Sequence, residues 1–142
     1  MDKGSVQKLG RVVEGIDEES TTQDCLKVLD RRGRACTPPQ LIDAAQEIFK
    51  RTGTIDAFLA EFSKAFEFLH VEADAITVEY PRCFCHHIAD IPAGEIPREY
   101  CECSRSWVQH LFEEATQRPA EVEILGSIIR GGETCRFSVR FP

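Results

Sequence analysis

The sequence predicts an α+β domain, in which N-terminal helices pack on an antiparallel sheet and a C-terminal helix is followed by a β-hairpin. Two observations predict this fold. Apolar residues recur every three or four positions through most of residues 1–72, which is the period of a helix lying on a core. From residue 73 onward apolar and polar residues alternate in several runs, as in strands with one buried face. We therefore expect a single domain, 1–142, mostly helical over 1–72 and with strands, one helix and the C-terminal hairpin over 73–142.

Two amphipathic helices are predicted near the N-terminus. The apolar stripe of the first consists of Val6, Leu9 and Val13. The second is expected from about Thr22 to Arg32, with Cys25 on its apolar face. Gly33 is expected to end this helix, because glycine adopts a left-handed C-terminal conformation without steric cost.

Two more helices follow. Thr37 is the expected N-cap of the third, with Pro38 at its first position and Gln40 completing a capping box. Gly53 ends that helix and Thr54 caps the next. The apolar stripe of the fourth helix consists of Ile55, Phe58, Leu59, Phe62, Phe66 and Leu69. A stripe this rich in phenylalanine predicts core packing and not a cofactor site.

The second half of the chain predicts a strand, a helix and a hairpin. The apolar side of the strand consists of Ile76, Val78 and Tyr80. Ser104 or Ser106 is expected to cap a helix that ends near Pro119. Two alternating runs then flank Gly131 and Gly132, which is a strong hairpin signal.

Composition excludes several classes of function. The net charge of −7 argues against binding to nucleic acid, because phosphate affinity is built from clustered Lys and Arg. No apolar run approaches the ~20 residues that span a bilayer, so no membrane partner is expected. The first ten residues lack the apolar stretch of a secretory signal, which predicts a cytoplasmic protein.

Seven cysteines are many for this length. An odd number without an export signal argues against a disulfide framework, so the thiols are packing groups, metal ligands or reactive groups. Cys25 and Cys135 follow apolar faces and are predicted core residues. Cys36 precedes Thr37 in a predicted loop, from which it can reach the other cysteines.

The candidate site is the cluster of Cys83, Cys85, Cys101 and Cys103. Cys83 and Cys85 share one face of a predicted strand. Cys101 and Cys103 come just before a predicted helix, whose positive N-terminus favours thiolate over thiol. Four thiolates can close a tetrahedral zinc site, although zinc ligands are usually spaced C-x₂-C. Metal binding, reactive thiols and a buried sulfur-rich core therefore remain open alternatives.

Side chains near the two pairs have candidate roles. His86 or His87 follows Cys85 directly and can serve as a general base. Tyr80 and Tyr100 each lie just upstream of a cysteine pair and can donate hydroxyl hydrogen bonds to a ligand.

Three segments carry a family resemblance. They are the run YCECSRSW at 100–107, the Phe112-Glu113 pair that follows, and RGGETCRF at 130–137. Together they resemble the 4-vinyl-reductase-type small-molecule-binding domains and the related 2-aminothiazoline-4-carboxylate-hydrolase-like proteins, in a branch with Cys-x-Cys pairs. The resemblance implies a sensor-like fold with a pocket between sheet and helices for a small hydrophobic or heterocyclic ligand. Tyr80, Tyr100 and Trp107 are its candidate ligand-binding residues.

Two main functional hypotheses follow. The first is a binding module for a small-molecule ligand or a metal, in which the four cysteines hold zinc as the expected cofactor. The second is a thiol-dependent hydrolase of a small heterocyclic substrate, with Cys103 as nucleophile and His86 as base. A structural protein with buried cysteines is the third alternative. A homodimer is a further expectation.

Overall fold

The computed structural model describes residues 1–73, 75–81 and 88–142. It confirms the α+β fold. The helices are α1 Lys3–Val12, α2 Thr22–Cys36, α3 Pro39–Thr52, α4 Ile55–Ala65 and α5 Glu102–Thr116. The strands are β1 Leu69–Glu72, β2 Ala75–Tyr80, β3 Glu121–Gly126 and β4 Cys135–Arg140. Short 3-10 helices cover Ala93–Glu95 and Arg98–Cys101. Within the described ranges, no helix combines the length and the apolar character needed to cross a membrane.

The four strands form one antiparallel sheet in the order β1-β2-β4-β3. Val78 lies opposite Leu69 on one side and opposite Phe137 on the other, so one face of the sheet is continuously apolar. Val78 and Phe137 are fully buried because the helices cover this face. The predicted hairpin is confirmed as β3 and β4, joined by residues 127–134.

The larger core lies between the sheet and α3, α4 and α5. The Phe58 and Phe62 rings stack at 5.2 Å, and each meets the Phe112 ring edge-on, at 6.5 and 6.0 Å. The predicted packing role of the phenylalanine stripe is confirmed, since all three rings are at most 1% exposed.

A second, smaller core joins α1 and α2 to the N-terminal end of α5. Its buried members are Val6, Leu9, Val13, Ile16, Cys25, Leu29, Ile88, Ile96, Tyr100 and Cys103. The apolar stripe predicted for α1 is confirmed by the burial of Val6, Leu9 and Val13.

The predicted end of α2 at Gly33 is wrong. The helix continues to Cys36, and Gly33 is a buried interior residue. A Cβ atom there would overlap the backbone oxygen of Cys103 and lie 2.9 Å from Cβ of Ser106. Gly33 is therefore required by the close approach of α2 to α5, and not by a left-handed turn.

Two predicted helix caps are also wrong. Pro38, not Thr37, is the N-cap of α3, and Thr37 is buried with its hydroxyl directed at the Gly33 and Trp107 carbonyls. Ser104 and Ser106 lie inside α5, because the 3-10 turn Arg98–Cys101 leads straight into the helix and makes Cys101 its N-cap. Tertiary contacts override local capping preference at both places.

One strand was missed. The stripe predicted for α4 extends to Leu69, but the helix ends at Ala65 and Leu69 begins β1. The confirmed ends are those with strong local signals. Thr54 caps α4 by accepting a hydrogen bond from the Ala57 N–H, and Gly53 closes α3 at φ 79°.

Candidate functional site

The structure describes half of the predicted cysteine cluster. Cys101 and Cys103 lie at the start of α5. Cys83, Cys85, His86 and His87 lie outside the described residues. Their predicted roles as metal ligands, and that of His86 as a base, therefore stay predictions.

Cys101 is the N-cap of the 15-residue helix α5 and is 4% exposed. Its sulfur lies 3.1 Å from Oγ of Ser127, the first residue after β3. The backbone N–H groups of the first turn of a helix give this position a partial positive charge. The Cys101 sulfur therefore lies where the helix N-terminus favours negative charge and where burial opposes it.

Ser127 is held by the hairpin loop and is 1% exposed. Its Oγ accepts a hydrogen bond from the Arg130 N–H at 3.0 Å, and its carbonyl accepts one from the Gly132 N–H at 2.8 Å. The Cys101 thiol donates its hydrogen bond to this Oγ. If the thiol loses its proton, the same hydroxyl can rotate and donate to the sulfur, because a hydroxyl is both donor and acceptor.

Cys103 is two residues further along the chain, inside α5, and is 7% exposed. It belongs to the second core, on the side of α5 that faces α2. Because residues two apart on a helix point in very different directions, the Cys101 and Cys103 side chains leave α5 on different sides. The structure therefore brings the two cysteines onto one turn but gives their sulfurs different neighbours.

A polar network links α2 to the first turns of α5. The Asp30 carboxylate accepts hydrogen bonds from the Ser106 hydroxyl at 2.7 Å and from Nε of Arg34 at 3.1 Å. Arg105 lies 4.0 Å from the same carboxylate and pairs with Glu102 at 2.6 Å. Burial acts to raise the pKa of Asp30, but the Ser106 and Arg34 hydrogen bonds and the two arginine charges outweigh it and lower the pKa.

We expect Asp30→Asn to lower the free energy of unfolding by about 1 kcal/mol at neutral pH, because the half-exposed carboxylate loses charged hydrogen bonds to solvent-screened partners. The pKa of Asp30 is lower in the folded protein than its ordinary 3.8, so its stabilisation is present above about pH 4. It is lost as the pH falls through the folded-state pKa. Urea unfolding at several pH values measures this difference.

Glu47→Gln is the matched control, because the Glu47–Lys50 pair is about three-quarters exposed and should contribute little. The expectation would be contradicted if the difference in unfolding free energy between the wild type and Asp30→Asn grew as the pH falls below 4.

The three predicted ligand-binding residues separate into two groups. Tyr80 and Trp107 are neighbours at the edge of the larger core, with ring centroids 6.3 Å apart. Tyr100 is 2% exposed within the second core. Burial, and then the nearby Cys135, raise the pKa of the Tyr80 hydroxyl, which therefore stays protonated.

The predicted core cysteines are confirmed as buried. Cys25 is fully buried and Cys135 is 9% exposed, opposite Tyr80 in the sheet register. Burial raises the pKa of the Cys25 thiol, and the negative charge of Asp24 adds to the rise. Cys36 is the exposed last residue of α2, where its carbonyl accepts a hydrogen bond from the Trp107 indole N–H at 3.2 Å.

Sequence reasoning missed Ser127 and Asp30. Each acts on α5 from a distant part of the chain, and neither belongs to a motif with a recognisable spacing.

Among residues 1–73, 75–81 and 88–142, no three His, Cys, Asp or Glu side chains lie close enough together to hold a metal ion.

A family model for proteins of unknown function, DUF6144, matches residues 18–140. This chain belongs to the DUF6144 family. The match includes α2 to α5 and the whole sheet, and therefore the Cys101–Ser127 contact and the Asp30 network. No curated protein matches the chain. The DUF6144 match does not test the resemblance to 4-vinyl-reductase-type and hydrolase-like proteins. That resemblance stays a prediction from the three segments that carry it.

Proposed function

We propose that this protein is a binding domain that holds a thiophilic metal ion, with zinc as the best candidate, through the thiolate of Cys101. Cys83, Cys85 and Cys103 are the proposed further ligands. A small-molecule ligand, as the family resemblance implies, would bind at the same site.

The observation that carries the proposal is the environment of the Cys101 sulfur. It combines burial, a helix N-terminus and the Ser127 hydroxyl at 3.1 Å. The helix N-terminus and a donating hydroxyl stabilise a thiolate, whereas burial opposes its charge. A bound metal ion offsets the cost of burial, because it takes the thiolate as its ligand. A hydroxyl that donates to a coordinating sulfur also fixes its orientation, as outer hydrogen bonds do at known metal sites.

The Cys101 and Cys103 side chains leave α5 in different directions, so a single ion is more easily held by one of the two sulfurs than by both. With the two sulfurs on different sides of α5, Cys101 is the stronger candidate and Cys103 the weaker one. The hydrolase alternative needs Cys103 to reach a substrate, whereas this side chain packs in an apolar core, so we place the binding role first.

Native mass spectrometry and elemental analysis of protein purified without a histidine tag test the proposal. We expect one equivalent of metal in the wild type and none in Cys101→Ser. Ser127→Ala should weaken metal binding by roughly 10-fold or more, because it removes a hydrogen bond to the ligating sulfur.

Cys25→Ser is the matched control, since it makes the same change at a fully buried cysteine in the second core. This variant should lose stability but keep its metal. A wild-type protein that is metal-free, that takes up no zinc and that is as stable as zinc-treated protein would overturn the proposal.

A further inference from the structure

The sheet divides at one end into two pairs of strands. In the described part of the chain, the ladder between β2 and β4 ends at Thr77 and Ser138, although β2 begins at Ala75 and β4 continues to Arg140. At the same end, β1 still pairs with β2 as far as Ala75, and β3 still pairs with β4 as far as Arg140. The pairs β1–β2 and β3–β4 therefore separate there and leave a gap between β2 and β4.

A cavity of about 500 Å³ lies at the divided end of the sheet and is partly open to solvent. We call it the fork cleft. It is lined by the first two turns of α4, by the residues where β1 leads into β2, and by the end of β4. Its volume lies within the ~300–1,000 Å³ typical of small-molecule sites. This end of the sheet therefore has space for a ligand.

Most of the fork cleft is apolar. The apolar lining consists of Ile55, Leu59, Val71, Ile76, Val139 and Phe141. Leu59 and Val139 are 3% and 4% exposed and form the floor, where the cleft meets the larger core. Val71 lies opposite Ile76 on the apolar face of the sheet but is 41% exposed. The apolar face therefore extends into the cleft, beyond the part that the helices cover.

Two carboxylates of the fork cleft lack a counter-ion. Asp56 and Glu72 line the cleft and are exposed. Within the described ranges, neither side chain makes an ion pair or a hydrogen bond. Arg140 also lines the cleft, but its guanidinium group pairs with Glu121. The lining therefore carries a net negative charge, which is complementary to a cation.

We infer that the fork cleft binds a small molecule with an apolar body and a protonated amine. The apolar lining removes the body from water, and the two carboxylates attract the ammonium group. Apolar walls with a few polar groups that fix orientation are the usual composition of a small-molecule site. The cleft lies at the end of β4 that is remote from Cys135 and the hairpin loop. This inference therefore does not depend on the proposed metal site.

NMR titration of the isotope-labelled full chain with phenylbutylamine tests the inference. We expect saturable shifts of the Leu59, Ile76 and Val139 amide signals. Phenylbutanol, the neutral analogue, should bind roughly fivefold more weakly, because it loses two ion pairs of the modest strength found at exposed sites. Phenylbutyrate has a similar apolar body with a negative charge and should bind more weakly than phenylbutanol.

Variants of the two carboxylates test the position of the amine. Asp56→Asn and Glu72→Gln should each weaken phenylbutylamine binding by roughly threefold and leave phenylbutanol binding unchanged. Glu67→Gln is the matched control, because it removes an exposed carboxylate that does not line the cleft. It should leave the binding of both compounds unchanged. If Asp56→Asn destabilises α4, the Glu72→Gln result decides.

A variant of the apolar lining tests the position of the body. Val71→Thr keeps the branched shape at an exposed position but replaces a methyl group with a hydroxyl. It should weaken phenylbutylamine and phenylbutanol binding alike, by roughly threefold. The inference would be overturned by an absence of saturable shifts at the cleft, by equal binding of phenylbutylamine and phenylbutanol, or by equal effects of Glu72→Gln and Glu67→Gln.

Discussion

Replacing Gly33 with alanine should lower the free energy of unfolding by about 3 kcal/mol, at the upper end of what overpacking costs. The added methyl group would overlap the Cys103 backbone oxygen and lie 2.9 Å from Cβ of Ser106. Backbone cannot move aside as a flexible side chain can, so α2 and α5 must separate. Separation also strains the Ser106–Asp30 hydrogen bond, which joins the two helices at the same turn. Urea unfolding followed by circular dichroism measures the loss.

Gly4→Ala is the matched control for Gly33→Ala. Gly4 lies in the first turn of α1, where the added methyl would meet only Oδ1 of Asp2, at an ordinary 3.4 Å. We expect this change to be neutral or to stabilise by up to about 1 kcal/mol, because alanine has the higher helix propensity. Equal stability of the Gly33→Ala and Gly4→Ala proteins would show that α2 and α5 do not pack as closely as described.

Truncating Phe112 to alanine should lower the free energy of unfolding by about 4 kcal/mol. Its ring is fully buried and makes edge contacts with the Phe58, Phe62 and Phe141 rings at 6.5, 6.0 and 6.1 Å. Removing it leaves a cavity between α4, α5 and the sheet that rigid neighbours fill only in part. Such a loss is a large fraction of the ~5–15 kcal/mol that stabilises a typical domain. Thermal and urea unfolding both report it.

Leu125→Ala provides the comparison, since Leu125 is a large apolar residue that is 48% exposed on β3. Its truncation should change stability by less than about 0.5 kcal/mol. A similar cost at both positions would mean that the Phe112 ring is not the centre of the larger core.

Local patterns predicted the parts of this fold that local physics decides. The three-to-four-residue spacing of Phe58 and Phe62 placed both rings in the core, because a helix that covers a sheet buries one stripe. The alternation around Phe137 likewise predicted β4 and its buried face. The same reasoning failed at Leu69, whose apolar character suits a helix stripe as well as a strand.

Partners distant in sequence decided the rest. The sequence identified Cys101 and Cys103 as candidates, but only the tertiary structure places Ser127 against one and Gly33 of α2 against the other. Gly33 illustrates the difference. A glycine can end a helix or can allow a neighbouring backbone to approach closely, and the sequence alone does not distinguish these two roles. By itself, the sequence determined which segments are helical, the hairpin and the candidate residues for chemistry, because spacing and side-chain type are local properties. The tertiary structure decided which of those residues meet, because that depends on how closely α2, α5 and the hairpin loop pack.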